Sequence, residues 1–285
     1  MYITMNCCAF AQQTDDTAKP MEIPRYKEIK PFAGTSKAII LDTATGNQWT
    51  IDLPIPDDVS GPAGAPKSVN GSVFSFPIDP PNLALAKLTV SAASDIGSCV
   101  AIAVGDRAFV TAAHCVYGSG GFFRNVKVLP GHLHGSTPYT FTASKIVVFN
   151  GYTEGQDPAH DLAFVLVAND LPGNIKRYSL PSQTPSCLGA PKVDLYSYEI
   201  KNFEYKPQVR VTGNLVGPRG CHFGTFWHMQ PRPHGTSGTP SVTDSGEVIS
   251  IYAGILIGKP DFGIDARISR GKACFLRREI EGKNC

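Results

Sequence analysis

Short apolar segments separated by turn residues fill the chain from about residue 83 onward, and this pattern constrains the fold more than any other feature. Two examples are "SCVAIAVGDRAFVTAAHC", which predicts two strands about a Gly-Asp turn, and "GEVISIYAGILIG" further along the chain. Long segments with the 3.6-residue period of a helix are absent, apart from a short candidate helix around residues 273–281. Many short strands at regular spacing are typical of an all-β sandwich or barrel.

A Pro/Ser-rich stretch at residues 181–191 divides the strand signals into two groups of similar size. This division favours two β-barrels, at about 83–180 and about 190–275. Upstream, two apolar runs flank Thr45-Gly46-Asn47 and predict a β-hairpin. Residues 54–82 contain seven prolines, which indicates a linker. We therefore predict an N-terminal extension or propeptide over residues 1–82 and a folded domain over 83–285.

Composition excludes several classes of protein. The chain has 42% hydrophobic and 18% charged residues, which is ordinary for a soluble globular protein. No segment reaches the run of about 18 apolar residues that a membrane helix needs. The net charge of +2 exerts no strong pull toward polyanions. We expect neither a membrane nor a nucleic acid as partner.

The cysteines indicate an oxidising compartment. They are even in number, and none forms the C-x-x-C spacing of a zinc site, so we predict disulfides and no metal. The N-terminal "AFA" resembles a signal-peptide cleavage site, but the apolar region before it is short and has no basic start. A truncated signal and an ordinary terminus both remain open. The eight cysteines are Cys7, Cys8, Cys99, Cys115, Cys187, Cys221, Cys274 and Cys285.

The stretch "HGTSGTPS" places Ser237 between two glycines. Such a segment is most often a plain turn. Glycine also lets backbone N–H groups point into a pocket, and this geometry suits an oxyanion hole beside a nucleophilic serine. Upstream, "VTAAHC" ends an apolar run with His114, and "HDLAFVLV" begins one with Asp161. Each of these is ambiguous singly, because a histidine after a strand or an aspartate before one is commonly structural.

Taken together, "TAAHC", "DLAFV" and "GTSGTP", in the order His, Asp, Ser, resemble the chymotrypsin-like serine protease family. The resemblance covers about residues 83–275. It implies two six-stranded antiparallel barrels and a triad in which His114 is the general base, Asp161 orients it and Ser237 is the nucleophile. The amides of Gly235 and Ser237 would form the oxyanion hole, with no cofactor. It also implies a disulfide between Cys99 and Cys115, which lie 16 positions apart.

The sequence departs from the animal digestive proteases of this family. Thr236 stands where they carry an aspartate, so we expect the oxyanion loop to be held by local hydrogen bonds from the Thr236 or Thr239 hydroxyl, already in the uncut chain. The interval of 76 residues between Asp161 and Ser237 is closer to bacterial glutamyl-endopeptidase-like and viral relatives. Those relatives have a histidine where Tyr252 stands, so the resemblance does not by itself imply glutamate specificity.

The resemblance further implies that Tyr252, Ala253 and Gly254 pair with the substrate backbone. Arg232 is either a contact for an acidic side chain or an ordinary surface residue. We interpret the other histidines as structural or surface residues: His132, His134, His160, His222, His228 and His234.

The resulting hypothesis is a secreted, monomeric serine endopeptidase acting on proteins or peptides, made as a zymogen whose first eighty or so residues cover the cleft if they inhibit. A polyprotein-derived viral protease is a variant of this hypothesis. The alternative from another class is a catalytically inactive protease-fold binding or effector protein.

Overall fold

The computed structural model describes residues 18–27, 32–55, 74–77, 82–92, 95–133, 135–186, 192–201, 204–214, 221–222, 224–228, 236–257 and 263–285. Twenty strands lie in these ranges. They are β1 (Lys19–Pro20), β2 (Arg25–Tyr26), β3 (Lys37–Asp42), β4 (Gln48–Asp52), β5 (Phe74–Pro77), β6 (Leu85–Ala92), β7 (Asp95–Ala103), β8 (Ala108–Thr111), β9 (Tyr117–Gly118), β10 (Gly121–Phe122), β11 (Arg124–Pro130), β12 (Phe141–Phe149), β13 (Ala163–Val167), β14 (Lys192–Lys201), β15 (Glu204–Asn214), β16 (Cys221–His222), β17 (Thr225–His228), β18 (Pro240–Thr243), β19 (Val248–Leu256) and β20 (Gly263–Arg267).

The helical elements are few and short. They are α1 (Asn150–Gly155), α2 (Arg270–Phe275), 3₁₀ turns at Ala113–Cys115 and Pro158–His160, and a π turn at Leu276–Ile280. None of the helices in the described ranges has the length and apolar character that a membrane crossing would need.

The first sheet closes into a barrel. Its six antiparallel strands run β11-β6-β7-β8-β13-β12, and β12 pairs back with β11. The strands β8 and β13 are buried along their whole length, and every residue in them except Thr111 is apolar. The closed barrel therefore places the ends of β8 and β13, and the loops that follow or precede them, side by side.

The hairpin predicted about Gly46 is β3–β4, and it extends the barrel sheet because β3 pairs with β12. Its turn is set by Asp42, whose carboxylate accepts hydrogen bonds from the N–H groups of Ala44 and Thr45. These contacts hold the pKa of Asp42 below its ordinary value. Gly46 has φ of +74°, a left-handed conformation that glycine adopts at little cost.

The second sheet has the order β16-β17-β20-β19-β18-β14-β15-β5, with β2 added in parallel to β19. Its end strands β16 and β5 do not pair with each other in the described part of the chain. The prediction of an all-β, chymotrypsin-like architecture with a short C-terminal helix is confirmed, as a closed six-stranded barrel and a second sheet.

The helix α2 begins earlier than predicted, because the Ser269 side chain caps it by accepting a hydrogen bond from Lys272 N. The Phe275 ring packs edge-on against Phe149 of the barrel, with centroids 6.4 Å apart. A disulfide joins Cys274 to Cys285. The C-terminal segment is therefore fixed against the first barrel.

Candidate active site

His114 lies in the 3₁₀ turn that directly follows β8. Its neighbour Cys115 forms a disulfide with Cys99 of β7, with Cα atoms 6.1 Å apart. This is the pair that the resemblance implies. The turn carries the histidine out of the barrel wall, and the covalent link to β7 fixes it there. Only 6% of His114 is exposed.

Asp161 meets His114 through both of its carboxylate oxygens. Asp161 Oδ2 lies 2.7 Å from His114 Nδ1, and Oδ1 accepts a 2.9 Å hydrogen bond from the His114 backbone N–H. Asp161 is completely buried. The two contacts fix the orientation of the ring and place the proton on Nδ1, which leaves Nε2 able to accept one.

Two tyrosines surround the buried carboxylate. The Tyr26 hydroxyl donates a 2.9 Å hydrogen bond to Asp161 Oδ2. Burial, and then the negative charge of Asp161, raise the pKa of Tyr26 well above its ordinary value. The same two causes raise the pKa of Tyr152. Both phenols thus stay protonated, and Tyr26 acts as a donor that stabilises the ionised aspartate.

Sequence reasoning missed Tyr26. It lies 135 positions from Asp161, in a segment that carries neither strand alternation nor a motif. Nothing in the local pattern could have found it.

Residues 236–239, here called the nucleophile loop because Ser237 is the predicted nucleophile, lie between the two sheets. Ser237 is completely buried, and its carbonyl accepts a 2.8 Å hydrogen bond from Val100 N of β7. The next residue, Gly238, donates from its N–H to Tyr252 O of β19, while Tyr252 N donates to Thr239 O. The serine is therefore held from both sides of the molecule.

Two further contacts shape this loop. Thr239 Oγ1 donates to Thr236 O at 2.7 Å and pairs with Ser197 Oγ at 2.9 Å. Gly238 has φ of +86°, and a Cβ there would overlap Val100 O and lie 2.5 Å from Thr111 Oγ1. Local hydrogen bonds from a threonine hydroxyl, together with a position that only glycine can occupy, define the conformation of the loop.

Two complementary polar atoms remain unsatisfied in this region. His114 Nε2 and Ser237 Oγ are both buried without a hydrogen-bond partner among the described residues. Burying such groups unpaired is costly, and their presence calls for a functional or structural explanation. One is an acceptor and the other a donor. His114 and Ser237 are also connected through β7. Cys115, which follows His114, forms the disulfide with Cys99, and the next residue, Val100, donates its N–H to the Ser237 carbonyl.

The predicted substrate-binding residues Tyr252, Ala253 and Gly254 lie on β19 and are buried. The backbone of Tyr252 is already engaged by the nucleophile loop. At Gly254, a Cβ would come within 2.6 Å of Pro24 O and 2.7 Å of the Tyr26 ring. The edge of β19 beyond Tyr252 is therefore occupied by the N-terminal segment.

Other predicted site residues lie elsewhere. Several of them fall outside the part of the chain that the structure describes: Gly235, Arg232, His134 and His234, and the side chains of His222 and His228. His132 is buried with its ring edge-on to Tyr198.

His160 contacts Asp157 and Ser36. Its Nδ1 lies 3.1 Å from Asp157 Oδ2, and its Nε2 lies 3.3 Å from Ser36 Oγ. It is nearly completely buried, and these contacts tie the loop before Asp161 to the N-terminal extension.

One group in the described part of the chain has the proximity of metal ligands. The ligand atoms of Cys99, His114 and Cys115 lie within 4.8 Å of one another. Because both sulfurs are joined in the disulfide, they cannot act as thiolate ligands. The histidine is thus free for acid–base chemistry.

Comparison with known proteins agrees with this fold. Residues 84–209 match the family model described as Trypsin. This part of the chain is therefore similar to the Trypsin family, and the chain has the chymotrypsin-like fold.

Individual solved structures extend the comparison. A structure named as Glu endopeptidase in complex with MPD aligns with a TM-score of 0.61 and 13% identity, covering 72% of this chain and 95% of that chain. The protease Anisep from Arthrobacter nicotinovorans aligns at 0.58 and 18%, over 68% and 93%. Human heparin binding protein aligns at 0.56 and 17%, over 73% and 94%. No curated protein matched the sequence.

Proposed function

We propose that this protein is a serine endopeptidase in which His114, Asp161 and Ser237 form the catalytic triad. The observation that carries the proposal is the pairing of His114 with the buried Asp161 carboxylate, combined with the unsatisfied Nε2 and Ser237 Oγ. A base with one nitrogen fixed and the other without a partner, together with a buried unpaired hydroxyl, supplies the groups that nucleophilic catalysis requires.

The proposed reaction proceeds in two steps. His114 Nε2 takes the Ser237 proton while Oγ attacks the carbonyl carbon of the substrate, and His114 then gives that proton to the leaving amine. A water molecule, deprotonated by His114, hydrolyses the resulting acyl-enzyme and regenerates Ser237. Asp161 stabilises the imidazolium in both steps.

The oxyanion that develops in each step needs two donors. We assign them to the backbone N–H groups of Gly235 and Ser237, as the resemblance implies. Each such donor contributes about 3–4 kcal/mol to the transition state. The contacts of Thr239 with Thr236 O and Ser197 Oγ support a loop that is held without cleavage of the chain.

The expected substrate is a protein or peptide chain, and the expected compartment is extracellular, because disulfides persist where the environment is oxidising. We retain the prediction of a monomer.

A fluorophosphonate probe tests the proposal, because it reacts only with an activated serine. We expect labelling at Ser237, and none in Ser237→Ala or His114→Ala, which should also lose turnover by a factor on the order of a million. The matched control is Ser245→Ala, since Ser245 also precedes a glycine with positive φ, Gly246. Labelling at Ser245, or activity that survives Ser237→Ala, would contradict the assignment.

The alternative is a protease-fold protein that binds without cleaving. One observation favours this alternative: the same fold occurs in human heparin binding protein, which is named for binding. The same probe decides between them, since a binding protein with an inert serine gives no label in the wild type or in any variant.

A further inference from the structure

Residues 18–26, here called the cleft segment, bridge the two sheets across the candidate active site. Its first part runs along β7 in parallel, with Lys19 opposite Gly97 and Pro20 opposite Ser98. Met21 N donates a 2.9 Å hydrogen bond to Ser98 O. The Ser98 hydroxyl lies 3.0 Å from Lys19 O. The segment is therefore paired as an added strand directly beside Cys99.

The second part of the cleft segment runs along β19, again in parallel. Ile255 N donates to Pro24 O at 3.0 Å, and Ile257 N donates to Tyr26 O at 2.7 Å. These are the backbone donors that follow Gly254 on the strand. An extended peptide that pairs with this edge needs the same N–H groups, so the cleft segment and such a peptide exclude each other.

Between these two pairings the cleft segment passes His114. A cavity of about 770 Å³ is lined by its residues 21–25 together with His114, Tyr117 and Tyr152. Ile23 and Tyr26 point inward, with 5% and 9% exposed, while Glu22 faces solvent. The Tyr26 hydroxyl reaches Asp161 at the far end, so the segment is anchored on the triad itself.

The direction of the cleft segment differs from the direction that the chemistry requires. His114 must protonate the leaving amine, and it is linked through Cys115 and Cys99 to β7. Ser237 holds the acyl group; its carbonyl is bonded to Val100 of β7, but the residues predicted to pair with the substrate backbone, Tyr252 to Gly254, lie on β19. A substrate would thus run from β19 toward β7, with its amine product on the β7 side. The cleft segment runs from β7 to β19.

We propose that residues 18–26 are an intramolecular inhibitor that fills the substrate cleft in the reverse direction. This proposal rests on the proposed endopeptidase function. Hydrogen bonds along both strand edges and from Tyr26 to Asp161 hold the segment in place. Because the reversed chain presents its amide bonds with the amine on the wrong side of His114, the enzyme does not cut the segment that covers it.

Two substitutions in the full-length chain test the proposal. Tyr26→Phe removes the hydroxyl that reaches Asp161, and Met21→Pro removes the N–H that reaches Ser98, far from Asp161 along the segment. Lys27→Ala is the control, because Lys27 follows the cleft segment and is exposed. The measurements are the rate of fluorophosphonate labelling at Ser237, kcat/KM on a peptide substrate, and hydrogen exchange of the Ile255 and Ile257 amides.

We expect Tyr26→Phe to raise labelling and kcat/KM about 10- to 100-fold, the factor that a hydrogen bond to a charged acceptor contributes to a closed state. Met21→Pro should act in the same direction, and both should lower the exchange protection of Ile255 and Ile257. Lys27→Ala should match the wild type. Intact-mass analysis of the wild type should show no cut between residues 18 and 26.

Three results would overturn the proposal. Unprotected Ile255 and Ile257 amides in the wild type would show that the segment is not docked. Lower activity in Tyr26→Phe, with no change in Met21→Pro, would show that Tyr26 supports Asp161 instead of blocking the cleft. A Ser237-dependent cut within residues 18–26 would refute the reversed direction. By contrast, release of the amides with no labelling in any variant would refute the endopeptidase function itself.

Discussion

Gly238→Ala should displace Ser237, and the structure gives a magnitude for the effect. Gly238 has φ of +86°, and an L-residue in the left-handed region costs about 1–2 kcal/mol. The added Cβ would also overlap Val100 O, a backbone atom that cannot rotate away. Overpacking of this kind typically costs about 1–3 kcal/mol. We expect the free energy of unfolding to fall by about 2–5 kcal/mol, with loss of Ser237 labelling.

Gly246→Ala is the matched control, because Gly246 has a similar φ of +81° and no atom within 4 Å of its added Cβ. It should cost only the conformational part, about 1–2 kcal/mol, and leave labelling intact. Urea unfolding gives both values, provided that the m-value is unchanged. Equal destabilisation by the two substitutions would show that the close approach of Gly238 to Val100 does not constrain the nucleophile loop.

Three further predictions follow from buried contacts. Thr239→Val should cost about 1–3 kcal/mol and slow labelling, whereas Thr239→Ser, which keeps the hydroxyl, should label normally; equal labelling would contradict this. Replacing Cys99 and Cys115 together by alanine opens a loop with a separation of 16 residues and should lower the unfolding free energy by about 3 kcal/mol; a change under about 1 kcal/mol in urea would refute it. Burial and the charge of Asp161 raise the pKa of the Tyr26 hydroxyl above 10.0. The hydrogen bond from Tyr26 therefore stabilises the docked cleft segment fully below pH 10.0, and this stabilisation is lost as the pH rises further. Fluorophosphonate labelling of Ser237 should accelerate above pH 10.0 in the wild type and not in Tyr26→Phe.

The sequence was informative where chemistry or local pattern restricts the residues. Alternating apolar runs with turn residues predicted the strands, because each strand must bury one face or both. The turn at Gly46 was predictable for a similar local reason. The His114–Asp161 pair was found only through the combination of three motifs, since neither residue carries a distinctive signal by itself.

Pairing partners were beyond the reach of local patterns. The strands β1 and β2 have two residues each, too few for alternation to be visible, and both pair with strands far along the chain. The turn residues predicted the hairpin β3–β4 itself. They did not predict that β3 pairs with β12, because that pairing depends on which barrel strand has an unpaired edge. Parallel added strands need no turn motif nearby, so no sequence signal marks them.

The N-terminal extension supports the site that its first part covers. Ser36 and the Phe32 N–H bond to the His160–Asp157 pair, and β3 pairs along β12. These contacts hold the loop that ends at Asp161, whereas the cleft segment pairs with the edges of β7 and β19 and bonds to the Asp161 carboxylate. A cut that removes residues before 32 would release the inhibitor and keep this support. A cut near residue 83 would separate both from the domain, so the proposed inhibition predicts an activating cleavage between the cleft segment and Phe32.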